Sequence, residues 1–282
     1  MIIKRPAPPR RAGRALSIKE KYGPTIISVS TVLIAIFVVR AVIISSSQWP
    51  RIKDQFFNLD VIIEVFPKVL HGFGINMAVW IVALIVIAVW ALVLAVFRSL
   101  NGPWFAPLKF FSIVYIDLLR GLPSLLLVLL FGFGMPALQI PGLPKSSLFW
   151  GAMAMISSYS AYAAEVYRSG IESVHTGQRL AAKALGLSQI QTLFHCILPQ
   201  AIRNVFPSLL NLAVALQKDV ALLSVLGVRD AVREAQIYTA RTFNYSSLIA
   251  AAALFLLATI PLARLTDYFT KKDRERRLQG AS

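Results

Sequence analysis

The sequence predicts an all-α integral membrane protein with about six transmembrane helices, and two observations predict it. First, 57% of its 282 residues are hydrophobic and gather into long uncharged runs. Several runs approach or exceed the ~20 residues a helix needs to cross a bilayer. Second, the 29 Lys/Arg residues lie mostly outside those runs, at the chain ends and in the connections. A net charge of +16 could suit nucleic acid, but cations placed between apolar runs fit membrane orientation better than a phosphate-binding face. Nucleic acid is therefore not an expected partner, whereas membrane lipid is.

Residues 1–24 carry seven Lys/Arg against the single acid Glu20 and read as a basic cytoplasmic tail. Residues 25–45 are expected to form a first transmembrane helix. Gly23–Val39 is uncharged, and Arg40 near the far end can snorkel to the headgroups. A signal peptide is the rival, but its apolar region spans only about 7–15 residues and no clean small-x-small cleavage site follows. Residues 46–72 are polar enough for an external loop. Phe73–Phe97 is the clearest span, and "RSLNGPW" (Arg98–Trp104) opens an inner turn that runs to Lys109.

Phe110–Leu138 is the third span despite Asp117, Arg120 and Pro123, and Gln139–Ser147 turns outside. Leu148–Ala164 is the fourth, with Glu165 at its inner end. Asn204–Val228, interrupted by Lys218 and Asp219, is the fifth, and Ser247–Leu265 is the sixth. Residues 268–282 form a second basic tail containing "KKDRERR". An even number of spans puts both termini on one side. Segments on that side hold 18 Lys/Arg, the opposite loops 7, and the spans 4. The positive-inside rule then makes both termini cytoplasmic and the chain a multi-pass cell-membrane protein.

One cytoplasmic segment, 168–203, has its own pattern. Gln178–Leu185 consists of good helix formers, and Gly186 offers a left-handed cap. Ser188 can cap a second helix with Gln191 at the capping-box position, and Pro199 is expected to end it. Ala182 and Gly186 share one small-residue face with Ala181 beside them, and Arg179 and Lys183 form a separate cationic row. Such a helix suits a socket on another protein, or equally an anionic membrane surface.

The motif "AAKALG", nine residues, then "CILP" resembles the EAA loop of binding-protein-dependent ABC importer permeases. Ala181, Ala182, Gly186, Leu198 and Pro199 match in spacing; Leu180 stands where that loop usually has Glu, and Cys196 where it has Ile. "DLLRGLPSLL" (Asp117–Leu126), "YSAYAAEVYRSGIESVHTGQ" (Tyr159–Gln178) and "LPQAIRNVFPSLLNLAVALQKDVALLSVLGVRD" (Leu198–Asp230) are similar to the polar-amino-acid uptake subfamily, the histidine/glutamine/arginine/glutamate type. The resemblance covers about residues 70–270. It implies a type I ABC importer permease fold with an added N-terminal helix, and a permease core at 73–267.

It further implies a cytoplasmic ABC ATPase dimer as partner, docked on Ala181, Ala182, Lys183, Leu185 and Gly186 with Leu198 and Pro199 behind them. A second permease subunit, identical or a sister chain, and an external solute-binding protein complete the implied assembly. Translocation would proceed by alternating access, with ATP and Mg held by the ATPase. This chain has no Walker loop, Ser–His–Asp pattern or HExxH, so no cofactor and no catalytic role is expected of it. His71, His175 and His195 lack metal spacing, and the lone Cys196 makes neither a disulfide nor a cysteine metal site.

Span three runs outward from about Phe110 and span five from about Phe206. At 1.5 Å per residue Arg120 lies roughly 15 Å deep and Lys218 roughly 18 Å deep. Charges near the midplane face a bundle interior or a wet cavity. Arg120 and Lys218 are thus candidate carboxylate ligands, with Asn211, Gln217 and Ser224 as neutral partners. The structural alternative pairs Arg120 with Asp117, and Lys218 with Asp219 or Glu165. Tyr162 and Glu165 read as scaffold at the inner gate. The expected cargo is a polar amino acid, with glutamate or glutamine favoured. Two other classes remain open: an ion-gradient-driven secondary transporter, and a membrane scaffold or receptor without transport.

Overall fold

The computed structural model describes residues 18–44 and 46–279, and every element among them is helical. The tail at 1–17 lies outside them. The chain divides into two units, Met1–Asp54 and Gln55–Ser282. In the first, α1 (Ile18–Val39) passes into a π turn at Arg40–Ile44. Its stretch Thr25–Val42 is long and apolar enough to cross a membrane. The short α2 (Trp49–Phe56) follows.

The second unit starts its main helix early. Asn58 accepts from the Asp60 and Val61 amides and caps α3 (Leu59–Ser99), so the helix begins well before Phe73. The third expected span is not one straight helix. α4 (Ala106–Gly121) and α5 (Ser124–Leu129) meet at a break of 103°. The cause is local: Leu122, preceding Pro123, is forced into extended backbone at φ −99°, ψ 139°. A π turn at Leu130–Gly134 and the short α6 (Met135–Ala137) complete that limb.

The remaining helices are α7 (Ser147–Ser173), α8 (Thr176–Ala184), α9 (Gln189–Gln191), α10 (Leu198–Asp219), α11 (Ala231–Thr242) and α12 (Ser246–Gln279). The stretches Trp49–Ser99, Gln189–Leu226 and Ser246–Asp273 are long and apolar enough to cross a membrane, and the bent α4–α6 limb adds one more if counted as a single span. α7, expected as a span, is long enough but too polar to qualify alone. It is instead the centre of the bundle, packed on α3, α4, α5 and α10. Ser158, Tyr159 and Ser160 on it are buried, so neighbouring helices keep these polar groups from lipid.

The main core joins Leu94, Ile116, Met155, Ile171, Leu216 and Leu223, all nearly inaccessible. A smaller core unites α3, α11 and α12 through Val65, Val69, Ala231, Ala235, Ala251 and Leu254. Asn76 of α3 knits the two regions. Its amide donates to the Asp230 carboxylate (3.0 Å) and the Val220 carbonyl (3.3 Å), and it accepts from the Ala231 amide (3.2 Å). Asp230 in turn caps α11, accepting from the Arg233 amide at 2.8 Å.

Candidate functional site

The most polar part of the bundle lies along α7. Glu165 gathers three guanidinium groups from three places in the chain. It accepts from Arg98 of α3 at 3.1 Å and from Arg168 of its own helix at 2.9 and 2.5 Å, while Arg120 of α4 stands 4.0 Å away. Arg168 also bonds Glu172 one turn on. Arg120 lies 5.6 Å from the centroid of the Tyr162 ring, whose hydroxyl donates to the Arg120 carbonyl at 3.4 Å. Arg120, Tyr162, Glu165, Ser169, Ser208 and Leu212 line a cavity of about 340 Å³, open on one side. Its walls therefore offer a cation, an anion, an aromatic face and hydroxyls.

The sequence-predicted solute residues do not all meet there. Arg120 lines the cavity, close to Glu165 and not paired with Asp117. Asn211 and Lys218 are exposed on α10. Lys218 forms no ion pair among the described residues, and Asp219 accepts from the Tyr159 hydroxyl at 2.6 Å. Gln217 is fully buried and accepts from Thr259 of α12 at 2.5 Å, and Ser224 is buried in the 3₁₀ turn Val220–Leu226. Tyr162 and Glu165, read from sequence as gate scaffold, share the cavity with Arg120. Ser169, Ser208 and the reach of Arg98 to Glu165 carried no sequence signal, since they depend on how α3, α7 and α10 pack.

At one end of this bundle, segment 168–203 folds much as its residues dictate. His175 caps α8, accepting from the Gly177 amide. Gly186 follows at φ +78°, the left-handed conformation that ends the helix. Ser188 accepts from the Gln191 amide while the Gln191 side chain accepts from the Ser188 amide, a complete capping box.

Two expectations are corrected. Pro199 does not end the second helix: a π turn at Thr192–Ile197 carries it into α10, where Pro199 sits in the first turn. Nor do Ala182 and Gly186 share an outward face with Ala181. Ala182 is only 3% exposed, packed inward, and the outward surface is Leu180, Ala181, Lys183, Ala184 and Leu185, with Leu185 81% exposed. Arg179 and Lys183 do share a row, lining a separate cavity of about 500 Å³ with Asn101 and Gln189.

Known proteins resemble this chain in sequence and fold. Residues 104–275 match the family model of the binding-protein-dependent transport system inner membrane component. A probable amino-acid ABC transporter permease of Sinorhizobium fredii is 34% identical over 209 residues, covering 73% of this chain and 88% of that protein. The chain is an amino-acid ABC transporter permease. A probable glutamine ABC transporter permease of Bacillus subtilis is 32% identical to this permease over 216 residues, covering 76% of it and 97% of the relative. The crystal structure of an amino acid ABC transporter with histidines superposes on the permease with a TM-score of 0.65 at 29% identity, over 75% of this chain and 97% of that one. The family match at 104–275 includes Arg120, Glu165 and Arg168 of the cluster, though not Arg98, and the whole α8–α9 bend.

Proposed function

We propose that the permease is the membrane subunit of an ATP-driven importer that moves a polar amino acid, glutamine or glutamate for preference, by alternating access. The observation that carries this reading is the α8–Gly186–α9 bend, a rigid double cap that presents exposed Leu180 and Leu185 away from the bundle. An exposed apolar face on a preorganised short helix suits burial in a groove of a partner. That partner is a cytoplasmic ATPase dimer, which holds ATP and Mg and drives the cycle, leaving the permease without catalysis of its own. Both termini and the α8–α9 bend lie in the cytoplasm, a second permease subunit faces the first, and an external solute-binding protein delivers the cargo.

The Arg120–Glu165 cavity supports the substrate class. Every amino acid carries a carboxylate and an ammonium group, and the cavity walls hold a guanidinium and a carboxylate 4.0 Å apart. Exposed Lys218 adds a second cation along α10, where Asn211 lies two turns away on the same side. Hydroxyls from Tyr162, Ser169 and Ser208 suit a neutral or acidic polar side chain better than an apolar one.

The deciding experiment is co-purification of the permease with its ATPase, followed by uptake into proteoliposomes. Gly186→Glu introduces strain at φ +78° and a charge at the bend. It is expected to abolish ATPase association and uptake while the bundle still melts cooperatively. Wild-type assembly and uptake in that variant would sink the coupling reading. Solute flux by the purified chain without ATP would instead favour a gradient-driven carrier.

A further inference from the structure

A cleft between α10 and α12 lies apart from both the Glu165 cavity and the α8–α9 bend. It encloses about 550 Å³, with Phe206, Pro207 and Phe269 as apolar walls and Arg203 and Lys272 as cations. The rings of Phe206 and Phe269 meet edge to face at 5.7 Å, and Tyr268 extends that aromatic wall at 5.6 Å from Phe269. The Lys272 ammonium lies 5.7 Å from the centroid of Tyr268. Arg203 is exposed and has no hydrogen-bond or ion-pair partner among the described residues. One acid, Asp273, also lines the cleft, but it is already engaged in an interaction of its own.

Position gives these residues their meaning. Arg203 and Phe206 lie in the first three turns of α10, and Phe269 and Lys272 lie in the last three turns of α12. With spans five and six taken as Asn204–Val228 and Ser247–Leu265 from the sequence, both pairs stand close to the headgroup layer, a depth that favours aromatic rings and cations. The segment around Lys272, Lys271–Arg277, holds five cations and two acids. A basic cleft between two spanning helices, followed by a polybasic segment, is the arrangement that recognises a lipid phosphate.

We propose that this cleft binds an anionic phospholipid: Arg203 and Lys272 take the headgroup phosphate, and an acyl chain lies on the Phe206–Pro207–Phe269 wall. Free phosphate would satisfy the two cations but gain nothing from the apolar wall, which is why a lipid is the favoured source of the phosphate. The assignment holds for either leaflet and does not rest on the coupling role of α8.

The test uses the full-length permease in nanodiscs of phosphatidylcholine alone, phosphatidylcholine with phosphatidylglycerol, and phosphatidylcholine with added inorganic phosphate. Phosphatidylglycerol is expected to raise the melting midpoint by about 2–4 °C and to remain bound in native mass spectra, whereas inorganic phosphate does neither. Arg203→Gln with Lys272→Gln should remove that rise without lowering the midpoint in phosphatidylcholine. Arg203→Lys should keep it. Arg264→Gln with Lys271→Gln, which removes equal charge from α12 outside the cleft, should keep it as well. An equal rise with inorganic phosphate would overturn the lipid assignment. So would equal loss in the two double variants, since that would mark diffuse attraction to the tail and not a site.

Discussion

Tyr159 on α7 donates a 2.6 Å hydrogen bond to the carboxylate of Asp219, the last residue of α10. The contact ties the central helix to the helix that carries Lys218. It also holds the Asp219 carboxylate toward α7, while Lys218, adjacent in sequence, is exposed and forms no ion pair among the described residues.

Tyr159→Phe tests both halves of that statement. Removing the hydroxyl strands a half-buried acceptor, a cost of about 1–3 kcal/mol. The variant should melt several degrees below wild type. Asp219 is then free to turn toward Lys218, so uptake should fall even under conditions where the protein stays folded. An unchanged melting midpoint in purified Tyr159→Phe would show that the bond contributes nothing.

Glu165→Gln removes the anion shared by Arg98, Arg120 and Arg168. These side chains are partly exposed, so water screens much of the resulting repulsion, and the stability cost should be on the order of 1 kcal/mol. Transport should suffer more. Arg120 loses the group that stands beside it in the cavity, and uptake is expected to fall on the order of tenfold. Paired measurement of melting and uptake separates the two effects; a loss of stability with normal uptake would confine Glu165 to scaffolding.

The helix caps and the contacts between helices were unequally legible in the sequence. The caps at Gly186 and Ser188 are local, each set by residues within three positions, and they fold as their pattern dictates. Gly121 and Pro123 of the third span mark where its helix can loosen, yet the sharpness of the bend was not legible, because a broken span and a straight one have the same composition. The Arg98–Glu165 contact joins residues 67 apart, and no periodicity within one helix encodes it. Ala182 shows the same limit: spacing fixed its face on α8, but only packing against the π turn that follows α9 decided that the face points inward.

Gly72 marks the closest approach of α3 to the start of α11. A Cβ there would lie 2.6 Å from the Ala231 nitrogen and 2.7 Å from the Asp230 carbonyl oxygen, both backbone atoms with little freedom to retreat. Gly72→Ala should therefore force the helices apart and weaken the Asn76 bonds to Asp230 and Ala231 four residues further on. A destabilisation of about 1–3 kcal/mol is expected, the usual cost of overpacking. Gly74, with open space at the same point, provides the control: Gly74→Ala should match or slightly exceed wild-type stability. Equal melting of the two variants would contradict the close approach.

Asp230 should give the permease a measurable pH dependence. Burial outside the spans holds its carboxyl above the usual aspartate range, although the Arg233 amide and the Asn76 side chain both pull the other way. Between the ordinary value of about 3.9 and the raised folded value, the folded state binds more proton than the unfolded one. The stabilising contribution is therefore complete below about pH 3.9 and is lost as pH rises through the folded value. Asp230→Asn retains a side chain that can cap α11 and cannot titrate. The difference in melting midpoint, variant minus wild type, should grow as pH is raised from about 4 and then level off. A difference that stays constant across that window would show that folding leaves the carboxyl unshifted.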